Sequence, residues 1–268
     1  MAVSKYKIIV AIDFLEQSII ALRQCYSLAK VYKAEIVLLH VLTKSEEKAI
    51  VFGRLEILED EVLQSTGCRV TILVTNGEIA TQIINTALSV NAQLIFVGSN
   101  NKVSEDGENG ISMRVVKAAS CPVITVKSST LTNICKSIVL PIDLTKQSKN
   151  KINKAIELAK LNKGSVIRVI SALFFNDDFK LNRLTRELYD VKDEVLQSGV
   201  ECTAEIIKVV EGGEGFSDII IEYAQKIEGD LIMIMIKDEL DADSDAISQE
   251  AMDIILNSNI PVLSINQV

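Results

Sequence analysis

The residues able to do chemistry are few in this chain of 268. Two carboxylates, Asp13 and Asp143, each close an apolar run, KIIVAID (7–13) and SIVLPID (137–143). There a carboxylate can accept hydrogen bonds from sugar hydroxyls or a base amino group, or cap the helix that follows, and the two roles are compatible. Gly98 closes a third apolar run, and a glycine lets backbone approach a phosphate closely. Beyond it Asn101, Asn109, Gly110 and Ser112 lead into a helical pattern, whose first N–H groups would face an anion. His40 is the sole histidine, too little for a His-ligated zinc site or a His-based triad, and its place in an apolar strand predicts a structural role. In the second half, KDELDADSD (237–245) gathers Asp238, Glu239, Asp241, Asp243 and Asp245. Three of these match the first ligands of an EF-hand loop, but Ala246 stands where the loop needs Gly and Met252 where it needs Glu, so a solvated acidic loop is expected and no metal site. GGEG (212–215) lacks dinucleotide-binding spacing and a lysine and reads as a turn. The third strand ends in Val74, Thr75 and Asn76, without a phosphoacceptor carboxylate. No nucleophile, base and acid come together, so the chain is expected not to be an enzyme.

Composition narrows the partners. The formal charge is −8 and the pI about 4.9, which argues against general binding to nucleic acid or anionic membrane. Aromatic residues make up 4%, with no Trp, leaving no stacking platform for bases. Hydrophobic residues at 48% suffice for a core. Cys25, Cys68, Cys121, Cys135 and Cys202 form no CxxC pair and read as buried free thiols of a reducing compartment. The longest apolar runs are strand-sized and the N-terminal one is too short for a signal sequence, so a cytoplasmic protein is expected.

These residues are positioned by elements that occur twice. KIIVAID recurs as SIVLPID, with Asp13/Asp143, Ser18/Ser148 and Lys30/Lys160 all 130 apart. EIVLLHV (35–41) aligns with SVIRVIS (165–171) at the same offset, QLIFVG (93–98) with DLIMIM (230–235) at 137, and CPVITV (121–126) with IPVLSI (260–265) at 139. Strands are predicted near 7–12, 35–42, 69–74, 93–98 and 122–127, because apolar runs without alternation suit parallel strands covered on both faces. Helices are predicted near 16–32, 45–66, 78–90 and 111–119, with Ile19, Leu22, Tyr26 and Ala29 forming one stripe. The second copy repeats the strands near 136–142, 165–171, 202–210, 230–236 and 261–266. Two α/β domains follow, 1–128 and 135–268, each a doubly wound parallel sheet, joined by the small polar stretch 127–135.

The segments KIIVAIDFLEQSIIALRQCYSLAKVYKAEIVLLHV and LIFVGS, then a loop, a helix and CPVITV, resemble the universal stress protein family, once per half. The resemblance implies two five-stranded sheets of order 3-2-1-4-5, paired through 122–127 and 261–266 as an intramolecular pseudo-dimer. In one branch of the family it also implies ATP binding. With that order the crevice opens between the first and fourth strands, so Asp13 and Gly98 line it. The resemblance places adenine at the backbone of Val41, and Ile12 adjoins Asp13. The binding branch carries Gly, two residues, Gly, nine residues, Gly, then Ser or Thr. Here Gly98 fills the first place and Asn101 the second. Counting back from Cys121 and Pro122, the last pair falls on Asn109–Gly110, with Ser112 two residues further and out of step. Asn tolerates left-handed backbone better than most residues.

In the second half Met235 replaces Gly98, the last pair becomes Ser248–Gln249, and the acidic run stands where phosphates would lie. The expected function is therefore a stress-response binding and regulatory module. ATP or another adenine nucleotide, with Mg²⁺, would occupy the first half, and the second-half site would be degenerate. Partners would be an unknown protein and a second chain in a homodimer, with no nucleic acid and no membrane. The alternative is a structural interaction module that binds no nucleotide and acts through its surfaces. Charge divides the halves too. Residues 1–128 hold 13 basic and 13 acidic side chains, whereas 129–268 hold 15 and 23, so the whole of 15 − 23 = −8 lies in the second.

Overall fold

The strands predicted as unbroken apolar runs form parallel ladders. A computed structural model describes residues 6–43, 47–99, 110–127, 131, 134–142, 149–173, 178–209, 215–236 and 247–266. Asn101, Asn109, Asp143, Ser148 and the acidic run lie outside the described residues. The chain divides into two compact units, Met1–Thr132 and Asn133–Gln267.

Unit 1 runs β1 (Lys7–Ala11), α1 (Glu16–Tyr32), β2 (Glu35–Leu42), α2 (Lys48–Thr66), β3 (Val70–Asn76), α3 (Ile79–Val90), β4 (Leu94–Gly98), α4 (Ile111–Ala118) and β5 (Val123–Val126). The sheet order is β3-β2-β1-β4-β5, all parallel. Helices α1 and α2 pack together and onto the sheet, as do α3 and α4. Ile8, Ile9, Val10, Ile95 and Phe96 are wholly buried, as strands covered on both faces must be. Helices α1, α2 and α3 end on left-handed residues, Lys33, Gly67 and Asn91.

Unit 2 runs β6 (Ser137–Pro141), α5 (Lys149–Leu161), β7 (Val166–Leu173), α6 (Asp178–Gln197), β8 (Glu201–Lys208), α7 (Phe216–Lys226), β9 (Leu231–Met235), α8 (Gln249–Asn257) and β10 (Val262–Ile265). Its order, β10-β9-β6-β7-β8, is again parallel and is the same topology. The β1–β4 ladder runs from Ile8↔Leu94 to Ala11↔Val97. The β6–β9 ladder comprises only Ile138↔Leu231 and Val139↔Ile232. Pro141 stands where Ala11 does and has no N–H to give, which accounts for the shorter ladder. Pro122 and Pro261, expected to open strands, precede them by one residue, and their carbonyls accept from Ile95 and Ile232 N–H.

The structure corrects one alignment. Lys7 pairs with Glu35, but Ser137 pairs with Val166. Ile12 N–H donates to Leu39 O, and Ile142 N–H to Ile170 O. The second strands are therefore equivalent at an offset of 131, not 130, and Ser171 rather than Ile170 matches His40. Both strands carry aliphatic residues on both faces, so the slip is hard to see in the hydrophobic pattern although it exchanges every side chain between faces.

Candidate functional site

The crevice of unit 1 lies beyond the carboxyl ends of β1 and β4, where the strand order reverses. Asp13 stands two residues beyond β1 and is exposed. Its Oδ1 accepts from Leu15 N–H at 2.9 Å. The helix cap is Leu15, not Asp13, so the carboxylate organises the turn before α1. Ser18 completes that turn, its hydroxyl donating to Leu15 O at 2.9 Å and accepting from Asp13 N–H at 3.3 Å. Ile12 is buried beneath.

His40 has the structural role expected of it. Its ring is buried, and Nδ1 lies 2.7 Å from Ile12 O, where its N–H donates. The turn contains two features that pattern reading missed. Phe14 holds φ at +63°, rare for an aromatic residue. Its ring tilts against His40 with centroids 5.1 Å apart, and the Arg54 guanidinium of α2 sits 3.7 Å above it. Val41, on β2 beside Thr75 of β3, turns its side chain to the face opposite His40 and is buried.

Gly98 ends β4 as expected, and packing supplies a reason for a glycine there. A Cβ there would come within 2.5 Å of the Gln17 carbonyl carbon and 2.6 Å of Ser18 N. The missing side chain makes room for the first turn of α1, a packing requirement of the unit itself. Across the crevice Gly110 caps α4 at φ −57° with no side-chain bond. Counted forward from Gly98 with the family spacing, the last pair falls on Ile111–Ser112, so the hydroxyl is in step and only the glycine is lost. Ser112 Oγ lies 3.3 Å from Ser99 Oγ, which ties the head of α4 to the end of β4. Of the sequence-predicted residues, Asp13, Gly98, Gly110 and Ser112 are gathered around β1 and β4, with Ile12 and Val41 on adjacent strand ends.

An ion pair links the heads of α3 and α4. Glu78 caps α3, accepting from Ala80 and Thr81 N–H, and pairs with Arg114 of α4 at 2.8 Å. Bonds from the Thr81 hydroxyl and N–H, then from Ala80 and Arg114, hold its carboxyl down at about 2.

In unit 2, Met235 ends β9 where Gly98 ends β4. Ser248 caps α8 with its own hydroxyl, accepting from Ala251 N–H at 3.2 Å. The strand-end carbonyl of Pro141 receives the Lys151 ammonium at 2.6 Å. All five cysteines are free and buried, and burial pushes Cys121 and Cys202 up to about 11. Among the described residues, no group of three metal-binding side chains occurs and no helix is long and apolar enough to cross a membrane.

Comparison with known proteins agrees with this architecture. The model of the universal stress protein family matches residues 6–127. Universal stress protein YxiE of Bacillus subtilis is 31% identical over 145 residues, which cover 45% of this chain and 98% of YxiE. The chain belongs to the universal stress protein family. Two solved structures match nearly its whole length. A universal stress protein from Archaeoglobus fulgidus DSM 4304, 17% identical, covers 97% of this chain and 96% of its own, with a TM-score of 0.73. Protein PA1789 of Pseudomonas aeruginosa PAO1, of unknown function and 18% identical, covers 99% and 93% with a TM-score of 0.70. At this identity the likeness is one of fold, and it extends over both units.

Proposed function

We propose that unit 1 binds an adenine nucleotide, ATP or a close relative with Mg²⁺, and that the chain acts as a regulatory binding module rather than an enzyme. The observation that carries this reading is the build of the crevice. An exposed carboxylate, Asp13, stands at one side, and the Ser99–Ser112 hydroxyl pair and the head of α4, whose cap residue Gly110 has no side chain, stand at the other. The carboxylate suits ribose hydroxyls, the hydroxyls and N–H groups suit phosphate oxygens, and the Val41 backbone suits the base edge. Unit 2 has the opposite build, with a methionine for the glycine and a self-capped helix, so it is proposed to bind no nucleotide. The reading without turnover rests on His40, whose Nδ1 is engaged with Ile12 O inside the core.

Titration calorimetry with MgATP, and mass spectrometry of ligand released from the purified chain, test the proposal. Saturable binding of one nucleotide per chain is expected. Asp13→Ala should weaken it roughly tenfold or more, the worth of a charged hydrogen bond. No heat and no shift in melting temperature at millimolar MgATP would decide for the interaction module that acts through its surfaces. Sustained ATP hydrolysis lost in Asp13→Ala would refute the reading without turnover.

A further inference from the structure

We propose that β3 is a docking edge occupied by a second copy of this chain, β3 lying antiparallel to its counterpart about a two-fold axis. Strand β3 is the last strand of its sheet and pairs with β2 on one side. On the other side alternate backbone N–H and C=O groups face outward. Edge strands are ordinarily blunted by charges, prolines or bulges, because an open flat edge templates pairing. Val70–Asn76 reads VTILVTN, with no charge, proline or glycine over seven residues. The corresponding edge of unit 2, β8, is blunted: Glu201, Glu205 and Lys208 are exposed along it.

The edge is also complementary to itself. With Leu73 on the two-fold axis, Thr71 opposes the second copy's Thr75 and Ile72 opposes its Val74, pairs that stabilise antiparallel ladders. Ile72 and Val74 share the face of His40, the side on which α2 packs. On α2, Arg54 over Phe14 and Glu61 bonded to Arg23 and Tyr26 turn one flank toward α1. Phe52 and Leu63 stand two positions from these, rotated by about 200° to the flank above the free edge. They are 41% and 43% exposed, large for apolar side chains. The two-fold that centres Leu73 runs the two α2 helices antiparallel and brings Phe52 toward the second copy's Leu63. The apolar seam of the edge thus continues onto the helix above it.

Charge selects this approach over others. The first half of the chain carries no net charge, whereas two second halves would meet at −8 each. Glu56 and Glu59 lie on the same flank of α2 and oppose each other across the axis. Their repulsion is screened by salt, so the pair should tighten as ionic strength rises.

Sedimentation velocity over a concentration series tests the proposal. The wild-type chain should approach twice 29.4 kDa and associate more strongly at high salt. Ile72→Lys with Val74→Lys sets lysine against lysine and should give a monomer. Ile72→Lys with Val74→Glu removes the same apolar area but sets lysine against glutamate, and should restore the dimer. Phe52→Glu with Leu63→Glu, both at exposed positions that leave the core intact, should weaken association at least tenfold, and circular dichroism should show each variant folded. The proposal is overturned by a wild-type monomer at every concentration, by a lysine pair as dimeric as wild type, by failure of the charge-swapped pair to reassociate while folded, or by open-ended aggregates in place of a closed dimer.

Discussion

The heads of α4 and α8 occupy the same place in their units and are built in opposite ways. Helix α4 opens on Gly110 with no side-chain bond, while α8 opens on Ser248, whose hydroxyl takes the Ala251 N–H. The preceding strands end in Gly98 and Met235. In unit 2 the Pro141 carbonyl, at the position of Ala11, accepts from the Lys151 ammonium. Duplication copied the sheet without copying the crevice. The fold depends on buried strands, which tolerate exchange of one aliphatic residue for another, whereas a ligand depends on a few backbone and polar groups at strand ends. Unit 2 has satisfied those groups internally.

The comparison is broken most severely at Gly98. Gly98→Val places a side chain against the Gln17–Ser18 backbone and should cost unit 1 at least about 3 kcal/mol, as overpacking against backbone that has nowhere to move. Chemical denaturation should show one unit lost and the other retained. Met235→Gly should leave unit 2 folded and still without nucleotide, because its capped helix head remains. Gly98 variants therefore report on folding, and Asp13 variants report on the ligand.

A smaller effect separates the units at the start of their fourth strands. In unit 1, Gln93 Oε1 accepts from Lys7 N–H at 2.7 Å. In unit 2, the buried carboxylate of Asp230 accepts from Cys135, Lys136 and Ser137 N–H at 2.8–3.0 Å. Asp230→Ala should cost about 2–3 kcal/mol, and Gln93→Ala about 1 kcal/mol. Burial pushes Asp230 up to about 6 from 3.8, against the pull of its three N–H donors. The unfolded chain then ionises first, so this group's contribution is full below about 4 and is lost as pH rises toward 6. Glu78 acts in the opposite sense: held at about 2, its contribution is present above 4.5 and lost as pH falls. Between pH 6 and 4, unit 2 should gain stability from Asp230. Asp230→Asn should flatten that slope in melts followed across the range, and an unchanged slope would show that another group carries it.

Much of this was legible in the sequence because strands buried on both faces leave unbroken apolar runs and helices leave stripes. The pairing of equivalent elements exposed the duplication, and α1 begins at Glu16 as its pattern predicts. What was not legible depended on contacts distant in sequence. The register of β7 is hidden because EIVLLHV and SVIRVIS both carry aliphatic residues on each face, so a slip of one residue costs the pattern little. The need for glycine at position 98 comes from the backbone of α1, far upstream. Asp230 reads as the first residue of a strand, and its three N–H donors come from residues almost a hundred positions upstream. Phe14 and Arg54 belong to different elements, and nothing in either one's neighbours announces their stacking. Ser112 is out of step with the family spacing from Pro122 and in step from Gly98, because the segment between α4 and β5 differs in length from that pattern.

The smallest change in stability gives the sharpest comparison of the two helix heads. Gly110 holds φ −57°, a value open to any residue, so Gly110→Ser is free of backbone strain. It gives α4 the cap that Ser248 gives α8, and should raise the stability of unit 1 by a few tenths of a kcal/mol, within reach of a careful melt. The same hydroxyl would accept an N–H that the proposed phosphate site uses. MgATP affinity should therefore fall several-fold as stability rises, two effects of opposite sign from one oxygen. Ser248→Gly should lower the stability of unit 2 by a similar amount and bring no nucleotide with it. If Gly110→Ser leaves MgATP binding unchanged, the bare head of α4 is not where the phosphates lie, and the difference between the two units is one of helix capping alone.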